Sequence, residues 1–244
     1  MKTKLILVLS LITFFNGNAQ TKDTISLTEN PKSITYKQFI APVALISGGF
    51  ALKNTTLNQN FQTDIRKIFG KDFHTKADNY LQYEAVLQIY GGKYLGFKPK
   101  NDFLHQTINI VIANAIMGVV VQTMKHGFKE ERPDSSDNLS FPSGHTATAF
   151  TNASLLFCEY KDSSIWYASS GFLFATATGA LRIANNKHYT SDVLTGAGIG
   201  LGVGLAVSYW SPFKSLTFDK KNKTHAVIFP QIGSNYGIGL LIRD

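Results

Sequence analysis

Three short stretches concentrate residues able to handle a phosphate group. Lys125 and Arg132 bracket a six-residue gap ahead of Pro133; Pro142-Ser143-Gly144-His145 stand in a row; and Arg182 is followed by His188 and then Asp192. Two guanidinium forks and an ammonium can neutralise a phosphate dianion, the forks pairing bidentately with its oxygens. Proline suits the first turn of a helix, and Gly144 leaves neighbouring N–H groups uncovered, so the backbone of Ser143 and Gly144, with the Ser143 hydroxyl, reads as an anion cradle at a helix start. His188 and Asp192 are four apart, so on a helical turn the carboxylate can accept one imidazole N–H and leave the other nitrogen free to attack phosphorus. His145, on the opposite side, is then placed to protonate the departing alcohol oxygen and later to activate water. No cluster has metal-ligand character, and Cys158 is the single cysteine, so the chemistry is expected to run without a metal or any other cofactor.

These groups must be brought to one place by the elements that carry them. Apolar stretches run over 38–52, 80–97, 106–124, 146–158, 163–181 and 193–213, each long enough for a helix. Lys125 follows the third, His145 begins the fourth, Arg182 ends the fifth, and His188 and Asp192 enter the sixth. In an up-and-down arrangement with short loops all of them fall at the same end of the bundle. The tail differs in kind: short β-branched and aromatic runs around Gly233-Ser234-Asn235 read as a β-hairpin. The expected architecture is all-α, a bundle of about six helices with a small C-terminal hairpin. Its expected divisions are a signal peptide at 1–19, a polar lead-in at 20–36, a helical domain at 37–213 and a tail at 214–244.

The signal expectation rests on Lys2 and Lys4, the apolar run from Leu5 to Phe15, and the small residues Gly17 and Ala19 at the positions a signal peptidase reads. An uncleaved anchor is the alternative, although the run is short for a span. Loss of 1–19 lowers the formal charge from +8 to +6. A basic exported chain is suited to anionic lipid, envelope polymer or phosphate esters, and it lacks the dense basic runs of nucleic-acid binders. Cys158 cannot form an internal disulfide and does not follow the signal as a lipoprotein cysteine would. The stretches 106–124, 163–181 and 193–213 carry no charged residue, yet the mean hydropathy of −0.02 is low for a polytopic protein. Pattern alone leaves membrane-spanning helices and buried core helices as alternatives, with membrane contact expected and the oligomeric state open.

In these motifs the sequence resembles the type 2 phosphatidic acid phosphatase superfamily, which includes bacterial acid phosphatases and vanadium haloperoxidases. The family pattern, Lys-x6-Arg-Pro, Pro-Ser-Gly-His and Ser-Arg-x5-His-x3-Asp, is matched at Lys125, Arg132, Pro133, Pro142, Ser143, Gly144, His145, Arg182, His188 and Asp192; Leu181 replaces the usual serine. The resemblance covers roughly 80–210. It implies a helical bundle, a metal-independent phosphohistidine mechanism through His188, and substrates that are phosphate mono- or diphosphate esters, often lipids. A phosphatase in the cell envelope, facing the periplasm and acting on a lipid phosphate, is the leading expectation. A soluble acid phosphatase of small esters, a haloperoxidase with vanadate in the phosphate site, and a non-catalytic anion binder are the alternatives.

Overall fold

The computed structural model describes residues 36–210 and two strands at 225–231 and 237–243. The expected signal segment, and the lead-in but for Tyr36, lie outside the described residues. A 3₁₀ turn, Tyr36–Phe39, opens into α1 (Ile40–Leu52), α2 (Thr56–Phe69), α3 (Ala77–Leu81), α4 (Glu84–Gly91), α5 (Phe103–Phe128), α6 (Gly144–Tyr160), α7 (Ile165–Ala184) and α8 (Thr190–Trp210).

Eight helices among the described residues replace the six expected, for two physical reasons. Residues 56–69 were too polar to read as a core element, yet Thr55 caps α2 by accepting the Asn58 N–H at 3.2 Å, and Gly70, at φ 96°, ends it. The stretch 80–97 divides because a turn through Gln82 and Tyr83 separates α3 from α4, and Gly96 takes φ 89° beyond them.

α6 is the axis of the bundle. Its Thr146, Ala147, Ala149, residues 151–156 and Cys158 to Tyr160 are buried, and α4, α5, α7 and α8 pack around it. Two aromatic hydroxyls secure α4: Tyr160 Oη donates to Ile89 O at 2.7 Å and Tyr167 Oη to Gln88 O at 2.6 Å. At the end away from the three motifs, buried Glu159 accepts from Asn101 N at 2.6 Å, Asn101 Nδ2 at 2.8 Å and Gln106 Nε2 at 3.1 Å.

α8 lies between α6 and α1, and glycine sets the spacing. Gly196, Gly200 and Gly204 form one stripe against the α6 backbone; a Cβ on Gly200 would stand 2.4 Å from Ala147 O, and one on Gly196 2.5 Å from Ser143 O. These are backbone atoms that no side-chain rotation can move aside. The two helices therefore approach with backbone on backbone, which brings their N-termini, and the residues they carry, together.

α5 and α8 are the two described helices long and apolar enough to cross a membrane; α7, whose stretch 163–181 was expected to qualify with them, is not among these. Val111, Ile116 and Val119 of α5 are exposed. The strands β1 (His225–Gln231) and β2 (Gly237–Arg243) pair antiparallel, with His225 opposite Arg243. The residues joining them, and residues 211–224, lie outside the described residues.

Candidate active site

Each of the three motifs sits where helices end. Lys125 occupies the last turn of α5, Gly144 and His145 open α6, Arg182 lies in the last turn of α7, His188 precedes α8 and Asp192 lies in its first turn. A direct strut joins two of these ends: the Ser143 N–H donates to Asp192 O at 3.0 Å.

The imidazole of His188 is 1% exposed. Its Nδ1 lies 3.2 Å from Asp192 Oδ2, and Ser140 Oγ donates to the same oxygen at 2.5 Å. Tyr189 N donates to Oδ2 at 3.0 Å and Ser191 Oγ to Oδ1 at 3.2 Å, so the carboxylate is fixed by four groups. Asn58 of α2 holds Ser191 twice, donating to its Oγ at 2.8 Å and accepting its N–H at 2.9 Å. This arrangement places the proton of neutral His188 on Nδ1 and leaves Nε2 with a lone pair. Burial pushes the imidazole pKa below its usual value, against the opposing pull of Asp192. Together these effects leave the neutral ring as the form expected at physiological pH.

His145 is half-buried, and its Nε2 bonds Asn79 Oδ1 at 2.8 Å. Burial, then the positive charge of Arg182, lowers its pKa to about 4; Arg132 and Lys125 act in the same sense. Arg182 pairs with buried Asp78 through Nη1 at 2.7 Å, while its Nε is buried without a partner among the described residues. Lys125 Nζ donates to Leu139 O and, at 3.3 Å, to Ser140 O. Arg132 Nε is held by Asp137 at 2.7 Å. The Gly144 Cα faces the Lys125 stem, since a Cβ there would meet Lys125 Cε at 3.9 Å. The donors converging here suit an oxyanion, and among the described residues no group of three His, Cys, Asp or Glu side chains could hold a metal ion.

Ser143 departs from its expected part. It is wholly buried, its N–H is committed to Asp192 O, and its hydroxyl caps α6, 3.5 Å from Thr146 N and 2.9 Å from Thr146 Oγ1. It braces the start of α6 against α8. Leu181 contributes no polar contact beside Arg182; Asp78 of α3 supplies the partner. His126 bonds back to Gln122 O and is exposed, away from any catalytic part. Glu130 lies in a half-buried ion pair with Lys53 at 2.7 Å. Cys158 is buried, as a packed small side chain should be.

Sequence reasoning missed Asp78, Asn79, Ser140, Ser191 and Asn58. Only Ser140 and Ser191 are next to motif residues; Asp78 is 104 positions from Arg182 and Asn58 is 133 from Ser191. An open cleft lined by Arg66, Lys71, His74, Asn185, Asn186 and Lys187 lies beside these groups rather than on His145 or His188.

Residues 106–216 match the PAP2 superfamily. The match spans all three motifs and ends before either strand, so nothing in the family likeness supports a terminal hairpin as part of the shared fold. A lipid A 1-phosphatase from Porphyromonas gingivalis is 40% identical over 148 residues, covering 60% of this chain and 33% of that protein. The chain thus spans about a third of that relative's length. The structure of a transmembrane PAP2-type phosphatidylglycerolphosphate phosphatase from Bacillus subtilis superposes with TM-score 0.51 at 18% identity, covering 76% of this chain and all of that one, a likeness of helical fold. LpxE from Aquifex aeolicus has TM-score 0.48 and 24% identity, with 64% of this chain and 96% of that one covered.

Proposed function

We propose that the protein is a metal-independent phosphatase that hydrolyses phosphate esters of membrane lipids through a phosphohistidine intermediate. The observation that supports this reading is the buried Ser140–Asp192–His188 chain, which frees one imidazole nitrogen of a ring that lies within the electrostatic reach of Lys125 and Arg182.

In the first step the Nε2 lone pair of His188 attacks phosphorus and the P–O bond to the leaving alcohol breaks. His145 gives its proton to the departing oxygen, and Asp192 stabilises the imidazolium formed on His188. With Nε2 of His145 on Asn79, Nδ1 is the ring nitrogen left for that exchange. In the second step His145, now neutral, takes a proton from water as the oxygen attacks phosphorus, the P–N bond breaks, and inorganic phosphate leaves with His188 neutral again. Arg182 Nε, Arg132, Lys125 and the Gly144 N–H stabilise the charge on the equatorial oxygens.

A lipid substrate is favoured by the exposed apolar face of α5 and by the second helix long enough to cross a membrane, α8. The relative that acts, by its name, on the 1-phosphate of lipid A favours a phosphorylated glycolipid over other lipid phosphates. We place the site on the periplasmic side of an envelope membrane, in keeping with the basic charge of the chain. Phosphate release with EDTA present, from lipid A, phosphatidate, a polyprenyl diphosphate and a small aryl phosphate, tests the reading. Release from the glycolipid in excess of the others is expected; release from the aryl ester alone would mean a soluble-ester phosphatase, and halide oxidation on adding vanadate and peroxide a haloperoxidase.

A further inference from the structure

The helix α2 is divided lengthwise into three sectors. At 100° per residue, Asn58, Gln62 and Arg66 fall on one side, and Leu57, Phe61 and Ile68 lie within about 40° of one another roughly a third of a turn away. Gln59, Asn60, Thr63, Asp64 and Lys67, all exposed, make up the third.

The three polar residues of the first sector face the protein, while Phe69, in the last turn on the same side, is 42% exposed. Asn58 and Gln62 are buried, Asn58 bonds Ser191, Gln62 Nε2 donates to Asn186 Oδ1, and Arg66 Nη1 donates to Ala184 O at 3.1 Å. The second sector is apolar and uncovered: Leu57, Phe61 and Ile68 are 50%, 38% and 68% exposed. A helix at the surface of a water-soluble body arranges these the other way, with apolar residues inward. Three sectors are what a helix needs when it lies along a bilayer surface with protein on one flank, lipid beneath and water above.

We propose that α2 lies in the headgroup–acyl boundary of an anionic bilayer, its Leu57–Phe61–Ile68 stripe in the lipid, and seats the catalytic end of the bundle at that depth. This deepens the membrane-lipid reading above and rests on it. Charge favours the same occupant: between Thr56 and Lys76 the basic residues Arg66, Lys67, Lys71 and Lys76 outnumber the acids Asp64, which pairs with Lys67 at 3.4 Å, and Asp72, and exposed Tyr80 and Tyr83 add aromatic side chains that favour membrane interfaces. Three side chains in a row are too little for a second copy of the chain, since a stable protein interface takes about 800 Å² from each partner. The anchors on the protein side all reach the segment from Ala184 to Ser191, which carries His188. The depth of α2 therefore sets how far a lipid phosphate must rise to meet the nucleophile.

Spin labels on single cysteines test this in the full chain, with Cys158→Ala as background, reconstituted in vesicles of phosphatidylcholine and phosphatidylglycerol. Labels at Leu57→Cys, Phe61→Cys and Ile68→Cys are expected to collide with oxygen in preference to a water-soluble nickel chelate, and labels at Asn60→Cys, Thr63→Cys and Lys67→Cys the reverse. Nickel access at all six, or a stripe closed to both reagents, overturns the proposal, the second outcome meaning that protein covers it. This readout does not depend on catalysis, so it stands apart from any failure of the phosphatase reading. Turnover supplies a second check: Phe61→Asp with Ile68→Asp should lower hydrolysis of vesicle-borne substrate on the order of 10-fold while hydrolysis of a soluble aryl phosphate is kept. Equal loss on both substrates would assign the stripe to folding and contradict membrane seating.

Discussion

His145 carries the clearest consequence of the site's charge. Burial and three cations hold it neutral, whereas a general acid must be protonated when the leaving group departs. A bound phosphate dianion cancels the cationic field, so inorganic phosphate added to a His188→Ala variant should raise the His145 pKa by about 1 unit or more, as read by NMR titration of the ring. An unchanged value would detach His145 from the phosphate site. Asp78 is the other test at this scale. Asp78→Ala leaves the buried Arg182 guanidinium unpaired, and the expected cost is about 3–5 kcal/mol of stability, measured by denaturant unfolding, with Asp78→Glu recovering part of it. The motif residues were legible because their spacings are local and their types are chemically rare in combination. Asp78 and Asn79 were not, because a short polar pair in a five-residue helix has no pattern until α3 is folded against the ends of α6 and α7.

Among the elements, the α6–α8 contact decides whether the site forms. Gly200→Val would press a branched side chain into the Ala147 carbonyl, and a destabilisation of about 1–3 kcal/mol is expected, with lost turnover because both helix N-termini shift. Gly118→Ala, in α5 with nothing within 4 Å of the new Cβ, should be neutral or stabilising by up to about 1 kcal/mol. Melting of the two variants side by side checks the contrast; equal effects would mean that glycine at 200 serves no close approach. The four longest helices were readable from their apolar runs, whereas the caps Asp102, Ser143 and Ser164 show only in the folded chain. α2 was not, because its inward face is Asn58, Gln62 and Arg66, and a search for apolar periodicity passes over a helix anchored by polar groups.

For the molecule as a whole, acid should unfold what neutral pH holds. The folded pKa values of both His145 and His188 lie below the unfolded value of 6.5, so the unfolded chain binds more protons as pH falls beneath it. Their contribution is present above pH 6.5 and is lost progressively toward pH 4. Asp134 and Asp137, held below their usual value of 3.8, extend the loss to lower pH. The melting temperature should therefore fall from pH 7 to pH 4, and His188→Asn should flatten that fall; a melting temperature that rises over this range would contradict the buried, neutral state of the pair. Fold class and the convergence of three motifs at one end of a bundle were both readable in the sequence, because helix ends and loop lengths constrain each other. Whether the bundle enters a membrane was not, since apolar runs serve a core and a bilayer alike. The central claim is that His188 becomes phosphorylated, and the most direct measurement is a rapid quench into alkali during turnover of a phosphorus-labelled lipid substrate with EDTA present. Label should appear on the protein as an acid-labile, alkali-stable adduct at His188 and vanish in His188→Ala; turnover without labelled protein, or label that persists in the variant, would contradict it.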